Sequence, residues 1–361
     1  MKYLFILGRN IELSRLEVLE FLKRIGNSVI SSNLFENGFL VEVAKELEET
    51  ALSKLGGVLS IGRVLGEIGN LNEIMIYSGE KNNINFALWE FSDKSSEARE
   101  YLKKRFKEEK LKAVYKGLND KIETQEGEEF YIPSSKLLDE EYFVFGNDFG
   151  KIIDKCDYKK IEERDMNKPV RRSSLAISPR LAKIMINLSG VKEGKVLDAF
   201  CGVGTILQEA LLQNLEAAGV DRDRSATEGA LKNLEWFGFP KEEYMILNFD
   251  STQVNLPQCS VMVSEPDLGE ILKKIPSKSI AEKTLEKFEK LMVQVINNVK
   301  GKVSGRVVFT SPLIKVGKER LGCNIENICK RTGYSLKFEP LEEYRENQIV
   351  GRRIFVLEKT D

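Results

Sequence analysis

Along the second half of the chain, short apolar runs each end in an acid and lead into helix-like stretches. The first run is Lys195-Val196-Leu197-Asp198. Small residues follow, Ala199-Phe200-Cys201-Gly202-Val203-Gly204-Thr205, and residues 206–212 read as a helix start. A strand, a glycine turn and a helix N-terminus form the first unit of a nucleotide-binding sheet. Residues 215–220 make a second run, ending at Asp221. Residues 245–249 make a third, ending at Asp250. Val261-Met262-Val263 is a fourth, meeting the polar turn Ser264-Glu265-Pro266-Asp267-Leu268-Gly269. Residues 281–299 predict a long helix and 305–310 a fifth strand, with 334–338 and 353–358 closing the sheet as an antiparallel pair. Upstream, Ser178 is placed as a helix N-cap with Pro179 in the first helical position. Leu181, Ile184, Met185 and Leu188 then share one apolar face.

The first half has a different rhythm. Tyr3-Leu4-Phe5-Ile6-Leu7-Gly8 predicts a strand, and Leu13, Leu16, Leu19 and Leu22 recur at helical intervals. Residues 38–43 predict a strand, 45–55 a second helix and 63–68 a further strand. A strand over 84–91, a helix over 95–108, a strand over 112–115 and a hairpin over 142–146 and 150–153 follow. The polar, charge-rich residues 154–169 suit a linker. The expected organisation is an α+β subdomain of ferredoxin type at 1–60, a further region at 61–155, a linker at 156–170 and an α/β, Rossmann-like domain at 171–361.

Composition changes this picture in three places. The 361 residues contain no histidine, which excludes histidine bases, triads and metal ligands. The five cysteines form no Cys-x-x-Cys pair, so no metal is expected, and their scatter suits a reducing compartment. No window nears ~18 apolar residues and the N-terminal apolar run is short, so a soluble, cytoplasmic protein without a membrane span is expected. Net charge is -1, so any nucleic-acid surface must be local. From Lys103 to Lys121 eight lysines and arginines face three acids. This segment reads either as a solvated helix face or as a phosphate-contacting patch interleaved with Tyr101, Phe106 and Tyr115. Lys103, Lys104, Arg105, Arg171 and Arg172 are the candidate RNA contacts.

The glycine turn lacks the third glycine of a dinucleotide fingerprint and the Gly-Lys-Ser/Thr of a P-loop. One acid before the turn and no phosphate lysine suit a ligand with an amino-acid end and an adenosine end, of which S-adenosylmethionine is the foremost. Asp221 is placed to accept hydrogen bonds from a ribose diol and Asp250 lies where an adenine edge would sit. Each acid could instead cap a helix or solvate a loop.

Three segments carry a resemblance to a known family. They are residues 181–188, then Val196-Leu197-Asp198-Ala199-Phe200-Cys201-Gly202-Val203-Gly204-Thr205 with residues 206–210, then Lys232-Asn233-Leu234-Glu235-Trp236. The opening residues 3–10 and the closing Gly351-Arg352-Arg353-Ile354-Phe355 add to it. The chain resembles the tRNA guanine-N2 methyltransferases that carry an N-terminal THUMP module. The resemblance implies methyl transfer from S-adenosylmethionine to the exocyclic amine of a tRNA guanosine at position ten, a THUMP-like region gripping the tRNA, and for some relatives a small activator protein. By position, Gly202 and Gly204 would line the methionine end with Asp198, Phe200 and Thr205 beside them. Asp221 would hold the ribose and Asp250 the adenine, and residues 173–179, Ser178 included, would cover the cofactor. Ser264, Glu265, Pro266 and Asp267 would form the catalytic turn. Two departures stand out. Asp267 occupies the place of a base-stacking tyrosine, and Ala199 stands where the family often has proline. Competing readings are a cofactor-binding but inactive RNA-binding protein and an adenine-N6 DNA or RNA methyltransferase.

Overall fold

The computed structural model describes residues 1–125, 127–133, 138–172, 177–267 and 274–360. The chain forms two compact units. The first comprises Met1–Arg15, Gly26–Ser53 and Gly57–Cys156, the second Leu16–Ile25, Lys54–Gly56 and Asp157–Asp361.

In chain order the first stretch runs β1 (Lys2–Leu7), α1 (Ile11–Arg24), β2 (Val29–Phe35), β3 (Gly38–Val43), β4 (Val58–Glu67), β5 (Asn83–Phe91), α2 (Ser95–Glu108), β6 (Lys112–Tyr115), β7 (Leu118–Glu123), β8 (Glu129–Pro133), β9 (Glu140–Phe145) and β10 (Asp148–Lys155). Eight of these strands make one sheet in the order β2-β3-β1-β4-β10-β9-β5-β6, while β7 and β8 pair separately. The central β1 is a continuous apolar run because both its faces are covered, and Tyr3 to Leu7 are almost wholly buried. Helix α2 places Ala98, Leu102 and Phe106 on one face against Phe86, Leu88 and Tyr142 of the sheet.

Several expectations need correction here. The expected boundary at residue 60 falls inside β4, which pairs with β1 on one side and β10 on the other. The helix expected over 45–55 reduces to a single 3-10 turn, Ala51–Lys54. Side chains instead hold the start of this segment in a non-helical path: Lys45 N–H donates to Asn27 Oδ1 at 2.9 Å and Leu47 N–H to the Tyr3 hydroxyl at 3.2 Å. Strand β2 has no periodicity to read, because it is an edge strand exposed along its whole length.

The second stretch runs α3 (Tyr158–Asn167), α4 (Pro179–Leu188), β11 (Lys195–Asp198), α5 (Thr205–Leu211), β12 (Glu216–Asp221), α6 (Arg224–Phe237), β13 (Tyr244–Asn248), β14 (Val261–Ser264), α7 (Lys278–Val299), β15 (Val307–Val316), β16 (Glu319–Leu321), α8 (Ile325–Thr332), β17 (Tyr334–Leu336), β18 (Leu341–Glu343) and β19 (Val350–Lys359). The linker expected over 156–170 is therefore mostly helix. Asp157 caps α3 by accepting from Lys160 N–H at 3.0 Å, and none of the α3 side chains is buried, which hides the helix from a hydrophobicity reading.

The main path of the sheet is β13-β12-β11-β14-β15-β19-β17, parallel from β13 to β15 and antiparallel at β19 and β17. Chain order reverses between β11 and β14. That reversal point is where an open parallel sheet leaves a crevice beyond its carboxyl ends. Helix α7 covers one face with Ala281, Leu285, Phe288, Met292 and Ile296, whose intervals of three and four residues align them on one stripe.

A buried polar hub ties residues 16–25 into this second unit. Asn187 on α4 donates to Glu17 Oε1 at 2.9 Å and to the Lys54 carbonyl at 2.8 Å, and it accepts from Arg24 at 2.8 Å. Arg24 also donates to Gln213 at 2.6 Å, and burial pulls its guanidinium down to about 10. Asn187→Ala removes one shared partner and leaves buried groups unsatisfied. The expected cost is about 3 kcal/mol, a fall in Tm of roughly 6–12 °C for a unit of this size. Thermal unfolding measures it, and an unchanged Tm would show that the hub carries no weight.

Candidate active site

The carboxyl ends of β11, β12 and β14 bring together the acids that the sequence singled out. Asp198 ends β11 and is 2% exposed. Its Oδ1 accepts from Phe200 N–H at 3.1 Å, and Ser264 hydrogen-bonds its carboxylate. Burial pushes Asp198 up to about 7 against those hydrogen bonds, with the negative charges of Asp221 and Glu265 adding to the rise. Ser264, fully buried at the end of β14, accepts from Ala199 N–H at 2.8 Å. This bond crosses the reversal point and locks the end of β14 to the start of the glycine turn.

The turn takes the shape its glycines allow. Gly202 sits at φ +50° and Gly204 at φ +89°. A Cβ on Gly204 would come within 3.3 Å of Ala230, whereas one on Gly202 would meet nothing within 4 Å. The space above Gly202 is thus open. Asp221, ending β12, accepts from Gly202 N–H and from Asp223 N–H, each at 2.9 Å. It fixes the turn by hydrogen bonds to the backbone. Gly204 caps α5, whose first residue Thr205 is buried and accepts from Lys168 Nζ at 3.3 Å. Phe200 is half-buried.

Asp250 closes a local turn, with Oδ1 accepting from Thr252 N–H at 2.9 Å and from its hydroxyl at 2.7 Å. Those bonds hold its carboxyl below the usual range. Beside it, Phe249 is 61% exposed, an apolar ring just after β13 that the sequence reading placed in the third run without a role in the site. Ser178 acts as the expected N-cap, its Oγ accepting from Leu181 N–H at 3.2 Å. Residues 173–176 of the expected cofactor cover, and Leu268 and Gly269 of the catalytic turn, lie outside the described residues.

In the expected catalytic turn Pro266 is buried and Asp267 exposed. Glu265 is paired with Arg352 of β19, and 8% of its side chain remains open to solvent. Burial raises its carboxyl and Arg352 lowers it, with burial the larger influence. Sequence reading quoted Arg352 only for the resemblance and gave it no place in the site, since it stands far off in the chain. It also missed Asn233, whose side chain accepts from Val170 N–H at 2.9 Å and donates to the carbonyls of Val170 at 3.0 Å and Val203 at 2.9 Å. Asn233 clamps the segment before α4 to the glycine turn. Its segment was quoted for the resemblance; its role shows only in three dimensions.

The candidate RNA contacts are largely engaged elsewhere. Arg172 donates to Asp223 at 2.7 Å, pulling that acid down to about 2 with help from Ser225, and Arg171 lies 4.0 Å from Asp165. Lys103 pairs with Glu100 at 2.8 Å, Arg105 with Glu109 at 2.5 Å and Lys104 more loosely with Glu108 at 3.9 Å. Phe106 is core, and Tyr115 lies under Arg99 and Lys103. The stretch is closer to a charge-balanced helix face than to a bare basic patch. Among the described residues no cluster of three or more Cys, Asp or Glu could hold a metal ion, and no helix is long and apolar enough to cross a membrane.

Comparison with known proteins bears on the same region. Residues 168–311 match the family described as RMKL-like, methyltransferase domain, and residues 69–232 match the family described as DNA methylase. A tRNA (guanine(10)-N2)-dimethyltransferase of Methanothermobacter thermautotrophicus is 38% identical over 96 residues, which cover 26% of this chain and 28% of that protein. Its namesake from Pyrococcus abyssi is 34% identical over 98 residues, 27% of either chain. The matched stretch thus spans little more than a quarter of the length of these curated relatives. The crystal structure of TrmN from Thermus thermophilus covers 100% of both chains with a TM-score of 0.53 at 14% identity, a likeness of fold. The architecture is a mixed α/β methyltransferase fold.

Proposed function

We propose that the chain is an S-adenosylmethionine-dependent methyltransferase acting on the exocyclic N2 amine of a guanosine in tRNA, as the named relatives do. The observation that carries this reading is the crevice at the reversal point, where Asp198, Gly202, Asp221, Ser264 and Glu265 meet through the bonds from Ala199 to Ser264 and from Gly202 to Asp221. The crevice suits the cofactor on its own chemistry. Asp198 is a buried carboxylate whose charged influences, among the described residues, are both acidic, so it lacks the cation that an amino-acid ammonium would supply. The open space at Gly202 admits a ligand close to the backbone. In this reading Asp198, Phe200, Gly202, Gly204 and Thr205 hold the methionine end, Asp221 the ribose, and Phe249 and Asp250 the adenine, with Ser178 anchoring the helix that follows the cover.

When bound, S-adenosylmethionine supplies a sulfonium methyl carbon that an amine attacks in line as the thioether leaves. The protein's part is to place and activate that amine. A base amine is flat, with a delocalised lone pair. Glu265 accepts a hydrogen bond from it, favours its pyramidal form and takes the proton that the methylated nitrogen sheds. Ser264 and buried Pro266 hold the turn in place. Asp267 provides no aromatic surface, so the flipped base is held without that stacking contribution of roughly 1–3 kcal/mol. The first unit binds the tRNA in this proposal, a small activator protein is a candidate partner, and the cytoplasm is the expected compartment.

Transfer of labelled methyl from S-adenosylmethionine to unmodified tRNA, followed by nucleoside analysis, tests the reading. Label in N2-methylguanosine supports it. With duplex DNA as a parallel substrate, label in N6-methyldeoxyadenosine would favour the second reading, which the match to the DNA methylase family keeps in play.

Cofactor affinity should also depend on pH. Asp198 is neutral below about 7 in the free protein, whereas a cationic ligand favours its ionised form. Affinity should therefore rise as pH rises, by about eightfold between pH 6 and 7.5, and level off above that. The same raised carboxyl makes the folded state lose stability as pH climbs from the ordinary carboxylate range to about 7. Calorimetry at several pH values measures the first effect, and Asp198→Asn should abolish its slope.

A further inference from the structure

Arg352 comes from β19, opposite Pro312 of β15, and its Nε donates to Glu265 Oε1. Both side chains are mostly enclosed, with 20% of Arg352 and 8% of Glu265 exposed. The same guanidinium lies 3.6 Å from Glu343 on β18. Among the described residues, charged groups act on the Glu265 neighbourhood from three elements: Arg352 on β19, Glu343 on β18 and Asp198 at the end of β11, with Asp267 two residues along the turn. Arg352 is the cation among them.

A carboxylate in such surroundings has two ways to exist. Alone, it sheds its charge by taking a proton, and as an acid it donates a hydrogen bond. Held by a guanidinium that never loses its own charge, it remains an acceptor. An exocyclic amine needs an acceptor. The turn's own residues supply no positive charge: Ser264 is neutral, Pro266 apolar and Asp267 acidic. The required cation therefore comes from the other end of the domain sequence.

We propose that Arg352 is a positioning residue that holds one oxygen of Glu265 and leaves the carboxylate charged and oriented to accept a hydrogen from the amine of a nucleobase. This rests on the functional reading above and assigns the control of its acceptor. Arg352 itself need touch neither base nor cofactor. Glu343 shares the guanidinium and limits how far it can turn away.

The test has two arms, on full-length protein checked for folding by thermal unfolding. In the first, protein labelled with carbon-13 at the glutamate carboxyls is titrated by NMR, and the Glu265 signal is assigned by its loss in Glu265→Gln. The signal should report an ionised carboxylate at pH 7 in the parent and in Arg352→Lys, and titrate at least one pH unit higher in Arg352→Met. An unmoved titration would overturn the proposal whether or not the protein methylates tRNA. In the second arm, kcat for tRNA methylation in Arg352→Met should fall at least thirtyfold at pH 7 and recover in part by pH 9, with the KM for S-adenosylmethionine unchanged. The double variant Glu265→Gln, Arg352→Met should be no slower than Glu265→Gln alone. A loss equal at every pH, or a further loss in the double variant, would give Arg352 a purely structural role. If the parent transfers no methyl to tRNA, the functional reading fails while the titration still decides the role of Arg352.

Discussion

Glu265→Gln should lower kcat for methyl transfer by at least a hundredfold while leaving the affinity for S-adenosylmethionine within about twofold, a loss typical of removing one preorganised polar group from a transition state. The substitution keeps shape and volume. It removes the charge that accepts the amine's hydrogen and the pair with Arg352. A glutamine can still present its carbonyl oxygen to the base, but it cannot take the proton shed by the methylated nitrogen. Cofactor affinity should hold because no hydrogen bond links Glu265 to the glycine turn among the described residues, and because Ser264 keeps its bond from Ala199 N–H. Single-turnover rates with calorimetry on the same preparation decide it. Unchanged turnover with cofactor bound would remove Glu265 from the chemistry and leave the turn's acids as loop-stabilising groups.

Asp221→Ala should weaken cofactor binding about a hundredfold. Two backbone donors, Gly202 N–H and Asp223 N–H, rest on this one carboxylate. Hydrogen bonds to a charged group contribute about 1.5–3 kcal/mol each, so losing the turn's support and the ribose contact together costs around 3 kcal/mol of binding. Asn248, whose side chain donates to the Asp221 carbonyl at 3.0 Å, should still hold the backbone of β12 in place. The loss should therefore appear in affinity far more than in Tm. Asp221→Asn is the sharper control, since an amide keeps one acceptor oxygen and should recover part of the loss. Calorimetric affinity within threefold of the parent in Asp221→Ala would refute the assignment.

The proposed cofactor crevice was readable because its chemistry is local. A strand ending in an acid, two glycines and a helix start occupy eleven consecutive residues, 195–205, and local geometry alone demands glycine at the positive φ of Gly204. The order of four apolar runs likewise carried the parallel sheet, since β11, β12 and β14 are buried almost throughout and read as continuous apolar stretches, with the edge strand β13 only partly covered. Ser178 and Pro179 announced α4 through capping chemistry that acts within three residues.

Elements without a buried face were lost. Strand β2 is exposed throughout and α3 buries no side chain, so neither leaves an apolar period. The helix expected over 45–55 failed for a different reason, because Asn27 and Tyr3, distant in sequence, hold the start of the segment in a non-helical path. The basic stretch from Lys103 admitted a phosphate-contacting reading because the count over Lys103–Lys121 left out Glu100 and gave Glu109 no place. Helical spacing sets Glu100 beside Lys103 and Glu109 beside Arg105.

The sequence by itself determined the sheet, the glycine turn and the identity of the acids at its edge, because those follow from periodicity and from what each residue's backbone can do. Only the tertiary structure decided what each acid is for. Asp221 supports a turn, Asp198 is buried with no cationic influence among the described residues, and Glu265 is held by a guanidinium from a strand near the end of the chain. Burial and charge pairing depend on neighbours brought close by folding, so distance along the chain carries no record of them.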